Sequence, residues 1–157
     1  MESSSVVHST FVLERQYRTA PERVFAAFAD PAQKRRWFAE GDGHHLEGFE
    51  MSFEVGGTER AQYRLKPGGP MAGMAFAHDA VFQDIIKDRR IVVASVMSFG
   101  GKRISASLST FEFRPTEKGT NMVFTHQGAF FEGSDGPQLR EAGWRKLLER
   151  FEKELGE

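Results

Sequence analysis

The sequence contains no cysteine and no long apolar run, and it carries almost no net charge. Zero cysteines exclude disulfides, thiol catalysis and thiolate metal sites, and they suit a reducing cytosol, so we expect a cytoplasmic protein. No stretch of about 18 apolar residues occurs, so we expect no membrane insertion. A formal net charge of −1 gives no support for a nucleic-acid partner.

Several motifs that mark enzymes and cofactor sites are also missing. The three Gly-Gly pairs, at 56–57, 68–69 and 100–101, look like hairpin turns rather than phosphate-binding loops. There is no G-x-S-x-G elbow. The His44-His45 pair would need a third ligand, and its spacing matches no known metal-binding pattern. We therefore predict no metal, no cofactor and no identifiable catalytic residue, which leaves open whether the protein is an enzyme.

Phenylalanine and methionine are abundant instead. The chain has 15 Phe and six Met, against two Tyr and two Trp. Both residue types are large and lack strong hydrogen-bonding groups, and Met adapts its shape to irregular spaces. This bias suits a roomy apolar interior, although a plain Phe-rich core explains any single Phe equally well.

Residue patterns predict an α+β chain that runs strand, two short helices, six strands and one long helix. Alternation of apolar and polar residues predicts strands at 11–18, 46–55, 59–65, 73–86, 91–99, 103–114 and 120–130. Short turns between them imply an antiparallel meander. Residues 1–10 are predicted to be a flexible tail, and 11–157 one domain. In the strand at 103–114, serines alternate with apolar residues, which predicts one wet and one covered face, with a bulge where alternation breaks at 110–113.

The final helix, predicted at 136–155, determines the expected architecture. Its apolar residues recur at helical spacing: Leu139, Trp144, Leu147, Leu148, Phe151 and Leu155. Such a stripe must be buried, and the only large partner is the sheet. A curved sheet that closes over one helix makes a container, and a container suggests a ligand.

Four stretches resemble a known superfamily. They are 19–28 (TAPERVFAAF), 30–38 (DPAQKRRWF), 49–57 (FEMSFEVGG) and the pair 119–125 and 143–148 (GTNMVFT, GWRKLL). They are similar to the START-related helix-grip proteins, also called SRPBCC, in the branch named after the Aha-type activator of a heat-shock chaperone ATPase. The resemblance implies a curved antiparallel sheet of six or seven strands around the C-terminal helix, with an internal cavity. It also implies that Trp37, Phe38 and the turn at 67–69 lie near the cavity mouth.

Three polar residues are the best candidates to orient a ligand. His78 shares the parity of Phe76 and Phe82 on its strand, so it faces the cavity if they do. Tyr63 follows the apolar register of its strand, and His126 lies near the end of the last strand. The complete set of predicted ligand-binding residues is Trp37, Tyr63, Phe76, His78, Met97, Phe99, Phe124, His126, Trp144 and Leu148.

These observations lead to three hypotheses of function. We expect a protein that binds a hydrophobic or aromatic small molecule in the cavity. One alternative, suggested by the superfamily, is an enzyme of cyclase, aromatase or hydrolase type that uses the same cavity. The other is a co-chaperone-like interaction module, which requires an exposed apolar patch. The basic run at 34–36 is interpreted as a solvated helix face, and exposed sheet edges leave a homodimer open.

Overall fold

A computed structural model describes residues 5–157. Its elements in chain order are β1 (Val7–Tyr17), α1 (Pro21–Ala29), α2 (Pro31–Lys34) with a continuing π-helical turn (Arg35–Ala39), β2 (His44–Met51), β3 (Thr58–Leu65), β4 (Ala75–Ile86), β5 (Arg90–Phe99), β6 (Lys102–Pro115), β7 (Thr120–Phe130) and α3 (Pro137–Leu155). The predicted α+β order is confirmed. The strand β1 begins four residues earlier than predicted, because 7–10 pair with 127–130 of β7. That part of the predicted tail is therefore strand, and residues 1–4 lie outside the described range.

The seven strands form one antiparallel sheet in the order β1-β7-β6-β5-β4-β3-β2. Strands β2 to β7 follow one another as a meander, and β1 pairs with β7 at one edge. Core residues of α3, such as Leu148 and Phe151, belong to the same buried cluster as inward residues of the sheet. The sheet thus wraps α3, as the helix-grip resemblance implied. No helix within the described residues is long and apolar enough to cross a membrane.

Strand β6 corrects the prediction of which face is covered. Its serines at 105, 107 and 109 point toward the interior, and Ser105 and Ser109 are buried. Leu108, between them, is 37% exposed on the outer face. Pairing with β7 continues without a break from Ser105 to Pro115, so the predicted bulge at 110–113 is wrong. The serines simply share the inward face with Phe111 and Phe113, and the register shift lies instead opposite Met97 and Ser98.

The short helices fill one end of the sheet with aromatic side chains. Phe28 of α1 packs against Trp37, Phe113 and Phe151 with ring centroids 4.9–5.4 Å apart. The π-helical turn buries three consecutive residues, 37–39, which a single stripe of a regular α-helix does not do. The Trp37 Nε1 donates a hydrogen bond to the Ala27 carbonyl oxygen at 2.9 Å. This end of the molecule is therefore solid.

Helix α3 buries a slightly different stripe from the predicted one. Leu139 is 66% exposed, whereas its neighbour Arg140 is buried one turn before Trp144. The N-cap position is Gly136, without a side-chain cap, so Asp135 is free to pair with Arg140. A charged residue thus takes the first inward position of the helix.

Candidate functional site

A cavity of about 350 Å³ lies between α3 and the inner face of the sheet. Its apolar lining includes Phe38, Phe76, Val93, Met97, Phe111, Trp144 and Leu147. The exposed Leu139 and Gly143 of α3 also line it, so it opens to solvent along the first half of that helix. An apolar cavity of about 150 Å³ is enough to hold benzene. The space is therefore large enough for a small organic molecule.

Six of the ten predicted ligand-binding residues line this cavity: Tyr63, Phe76, His78, Met97, His126 and Trp144. The other four do not. Trp37 and Leu148 are fully buried in the core, and Phe124 stacks on Phe111 at 4.4 Å. Phe99 is the last residue of β5 and lies outside the lining.

The lining of the cavity mouth also differs from what the resemblance implied. Phe38 lines the cavity, whereas Trp37 does not, because the π-helical turn directs its indole toward Phe28 and Phe151. Residues 67–69 do not contribute to the lining either. The mouth is formed instead by α3, where Leu139 and Gly143 are exposed.

A buried ionic cluster forms one part of the wall. Glu59 of β3 lies with one oxygen, Oε1, 2.8 Å from Lys34 Nζ and the other, Oε2, 3.0 Å from His78 Nε2. The Lys34 contact is an ion pair that is not aligned as a hydrogen bond. The ammonium also sits 4.5 Å from the centre of the Phe38 ring, a distance typical of cation–π contacts. Lys34 is therefore buried, and the prediction of a solvated basic run is wrong at this residue.

The charge of Glu59 follows from its two partners. Burial alone would raise the pKa of this carboxyl group, but the charge of Lys34 and the hydrogen bond from His78 outweigh that effect and lower the pKa to about 2. Glu59 is therefore ionised at neutral pH. Asp79 follows His78 on β4 and therefore points to the opposite face of the sheet, away from the cavity. There it pairs with Arg60 at 2.7 Å.

A second charged pair lies near the start of α3. Arg140 donates from Nε and Nη2 to the two oxygens of Asp135, both at 2.8 Å, and from Nη2 to Ser105 Oγ at 2.9 Å. Its guanidinium lies 5.1 Å from the Phe130 ring centre. Burial would raise the pKa of Asp135, yet the hydrogen bond and charge of Arg140 hold it below its ordinary value. The positive charge of Arg140 and the negative charge of Asp135 therefore compensate each other.

His126 is buried beside this pair. It is only 1% exposed and stacks on Phe11, with ring centroids 4.7 Å apart. Burial, reinforced by the positive charge of Arg140, lowers the pKa of His126 to about 4, so the ring is neutral at pH 7. Gly128 leaves room for the rings of His126 and Phe130 to approach each other, because a Cβ atom at position 128 would lie 2.8 Å from the Phe130 ring.

Among the described residues, the unpaired hydrogen-bonding atoms on the wall include the buried Nδ1 of His126 and the hydroxyl group of Tyr63. Tyr63 is 5% exposed, stacks on Phe76 at 4.4 Å, and makes no side-chain hydrogen bond within residues 5–157. Burial and the nearby charge of Glu59 raise the pKa of its hydroxyl group, which therefore stays protonated. By contrast, Ser95 and Ser107 satisfy each other across β5 and β6 at 2.9 Å.

The two adjacent histidines lie at the start of β2, which begins two residues before the strand predicted at 46–55. His44 lines the cavity and its Nε2 donates to the Ala39 carbonyl oxygen at 2.7 Å, whereas His45 is exposed. In the part of the chain that the structure describes, no three His, Cys, Asp or Glu side chains group together as metal ligands. His44 is thus a lining residue that sequence reasoning missed.

Two of the other missed residues, Glu59 and Arg140, did leave signals in the sequence. Glu59 has the same parity as Ala61 and Tyr63, so the alternation that placed Tyr63 inside places Glu59 there too. Arg140 precedes Trp144 by four residues, one helical turn. Both were passed over because charged residues are rarely buried without a partner. For Lys34, no residue pattern distinguishes it from its exposed neighbours Arg35 and Arg36.

Together, the wrapped sheet, the terminal helix and the cavity between them define a helix-grip protein. The family model described as Activator of Hsp90 ATPase homolog 1-like protein matches residues 18–156, and the chain belongs to this family. No curated protein matches the chain significantly.

Solved structures agree with this assignment. An uncharacterised protein from Rhizobium leguminosarum is 36% identical, with 97% of each chain covered and a TM-score of 0.87. The Mll3558 protein from Rhizobium loti is 47% identical, with 96% of this chain and 99% of that chain covered and a TM-score of 0.84. An AHSA1-like protein from Aeromonas hydrophila, 23% identical over 94% of this chain and 92% of its own, with a TM-score of 0.69, shares the fold.

Proposed function

We propose that this is a cytoplasmic protein that binds a small molecule with an aromatic or apolar body and a neutral polar group inside the cavity. The observation that carries the proposal is a 350 Å³ space whose wall combines aromatic surface with the unpaired hydroxyl of Tyr63. Pockets for small molecules are typically about 300–1,000 Å³, mostly apolar, with a few polar groups that fix orientation. Phe76, Met97 and Trp144 supply the apolar surface.

The charges on the wall favour a neutral ligand. Lys34 is paired with Glu59, and Arg140 with Asp135, so each cluster is already compensated. A charged ligand would have to compete with these pairs in a site of low dielectric constant, where an uncompensated charge is costly. A hydroxyl or carbonyl group needs only a hydrogen bond, which Tyr63 can donate. The wall is more polar than predicted from sequence, because Lys34, Glu59 and Arg140 join the three polar residues of the predicted set.

Blocking the cavity tests the proposal directly. The Ser107→Phe variant places a ring in the cavity, whereas Leu108→Phe places one on the outer face of the same strand. Protein purified from the cells that make it would be examined by native mass spectrometry, and by NMR titration with aromatic fragments. We expect the wild type and Leu108→Phe to bind a small molecule and Ser107→Phe to lose it. Equal binding by the two variants, or none by the wild type, would contradict the proposal.

A second candidate is a co-chaperone-like interaction through the outer face of the sheet. Val81, Ala94 and Leu108 lie opposite one another on β4, β5 and β6, and Val81 and Leu108 are 39% and 37% exposed. This row supplies the exposed apolar surface that a docking site needs. The test adds purified protein to an Hsp90-type chaperone ATPase and compares it with Leu108→Arg. A rate that stays at its basal value at saturating protein would eliminate this candidate.

A further inference from the structure

The wall formed by β3 and β4 combines a histidine, a carboxylate behind it and a phenol beside it. We propose that this wall catalyses proton abstraction from a carbon next to a carbonyl group, with His78 as the base and the Tyr63 hydroxyl as the hydrogen-bond donor to the carbonyl oxygen. The inference rests on the proposed function, because the substrate must occupy the same cavity. It gives that cavity a reaction, keto–enol interconversion, and a substrate class, ketones and aldehydes with an aromatic or apolar body.

The hydrogen bond to Glu59 fixes which nitrogen of His78 is available as a base. Glu59 is ionised and can only accept, so His78 Nε2 keeps its hydrogen and donates it to Oε2 at 3.0 Å. The lone pair of the neutral ring is then on Nδ1. That atom has no hydrogen-bond partner within residues 5–157, and it is not sealed inside the wall. His78 lines the cavity and is therefore within reach of a bound molecule.

Glu59 and Lys34 prepare His78 for this role. When His78 takes up a proton, the ring becomes positive, and the carboxylate of Glu59 at 3.0 Å stabilises that charge. Lys34 keeps Glu59 ionised, although the carboxylate is only 2% exposed. Buried ion pairs of this kind contribute little net stability. Stabilisation of the contact between α2 and the sheet is therefore a weak explanation for the cluster.

Tyr63 is placed to hold the oxygen of the same carbonyl group. Ala61 lies directly opposite His78 in the pairing of β3 with β4, and Tyr63 is two residues further along the same face. Diagonal neighbours of this kind have their Cβ atoms within about 7–8 Å. Both residues line the cavity, and the proposal requires a bound carbonyl group and its neighbouring carbon to lie between the two side chains. The Tyr63 hydroxyl has no competing partner in the described residues.

The proposed step is balanced without any other reactant. The C–H bond breaks, and its proton moves to His78 Nδ1. The electron pair forms the carbon–carbon double bond of an enolate, and the negative charge on oxygen receives the hydrogen bond from Tyr63. His78 then returns a proton to carbon, which regenerates the ketone, or to oxygen, which gives the enol.

Hydrogen exchange in D2O tests the step without knowledge of the natural substrate. The probe is 2-indanone, an aromatic ketone whose CH2 signals beside the carbonyl disappear from the ¹H NMR spectrum as they exchange. Its binding, and that of indane, which lacks the carbonyl, is measured on the same sample by NMR titration. The variants are His78→Gln and Tyr63→Phe, with His45→Gln as the control because His45 is exposed on β2.

We expect saturable exchange above the buffer rate, unchanged in His45→Gln. Removing the base should lower the protein-catalysed rate about 100-fold or more, and removing the oxyanion donor should lower it about 100-fold. Tyr63→Phe keeps the ring that stacks on Phe76, so it remains informative if His78→Gln does not fold. Bound 2-indanone that exchanges no faster than in buffer, or exchange that survives both variants, overturns this inference and leaves the binding proposal intact. If neither probe binds, both proposals fail.

Discussion

Strand β6 runs through two contrasting halves of the molecule. Its first inward residues, Ser105, Ser107 and Ser109, line or border the cavity. Phe111 lies at the boundary, since it lines the cavity and also packs on Phe28, and Phe113 belongs to the packed aromatic end. The backbone pairing with β7 is the same along both halves. The cavity therefore results from side-chain volume along one strand and not from a break in the sheet. Small polar residues leave space, and large apolar residues remove it.

The end of the interior that is filled by aromatic rings (the packed half) and the end that contains the cavity (the hollow half) also differ in the polar groups that they bury. The packed half is rich in aromatic side chains, and the Trp37 Nε1–H donates a hydrogen bond to the Ala27 carbonyl oxygen. The hollow half contains the buried Lys34–Glu59 ion pair, the partly exposed Arg140–Asp135 pair, and two groups that are unpaired within residues 5–157, the Tyr63 hydroxyl and His126 Nδ1. A polar group in a solid core must find its partner within the protein, but a cavity can supply one from a ligand or water. This difference favours the hollow half as the location of the proposed binding site.

The largest expected effect is on stability in the packed half. Phe113→Ala removes a fully buried ring that contacts Phe25 and Phe28, and we expect it to lower the free energy of unfolding by about 3–5 kcal/mol. Ser109→Ala, two strand positions nearer the cavity than Phe111, is the control and should cost far less. Urea unfolding measures both. Equal losses would show that the two halves do not differ in packing.

Breaking the ionic cluster should have the next largest effect. Lys34→Met leaves the buried carboxylate of Glu59 without its cation, and we expect a loss of about 3 kcal/mol in the free energy of unfolding. Adding Glu59→Leu removes the uncompensated charge and should recover much of that loss. A double variant whose loss equals or exceeds that of Lys34→Met in urea unfolding would argue against the pair as described.

The pH dependence of stability should report on His126. The pKa of this ring is about 4 in the folded protein, below its ordinary 6.5, so the unfolded chain takes up a proton first as the pH falls. The stability that His126 contributes is therefore present above pH 6.5 and is lost as the pH falls toward 4. We expect His126→Leu to reduce the slope of unfolding free energy against pH in this window. His45→Gln, at an exposed position, should leave the slope unchanged, and identical slopes in all three proteins would refute the assignment.

The sequence contained enough information to predict the fold, because strand alternation and helical spacing depend on which face of each element is buried. The alternation of Ala61 and Tyr63 with Arg60 and Arg64 predicted β3, and the stripe of Trp144, Leu148 and Phe151 predicted α3. These patterns require only that apolar residues face inward. They hold wherever the interior is apolar.

The site was harder to predict, because it violates that requirement. Residue patterns predict that serines and charged residues face solvent. The prediction therefore assigned the wrong face of β6 to the interior and placed Lys34 in solvent. Arg140 is buried between Asp135, only five residues away, and the distant Ser105. Burial of Lys34 and Glu59 depends on pairing between two elements that are far apart in the chain. No local spacing encodes such pairs. His78 and Tyr63 could be found because each shares its face with apolar neighbours.

The two tryptophans provide the most direct test, because one lies in each half of the molecule. Trp144 lines the cavity, and Trp37 is buried in the packed end. The measurement is a titration of ¹⁵N-labelled protein with 2-indanone, followed through the two indole N–H signals. We predict that the Trp144 signal shifts saturably while the Trp37 signal stays in place. If neither signal moves, or if both move equally, the cavity is not a binding site for this class of molecule.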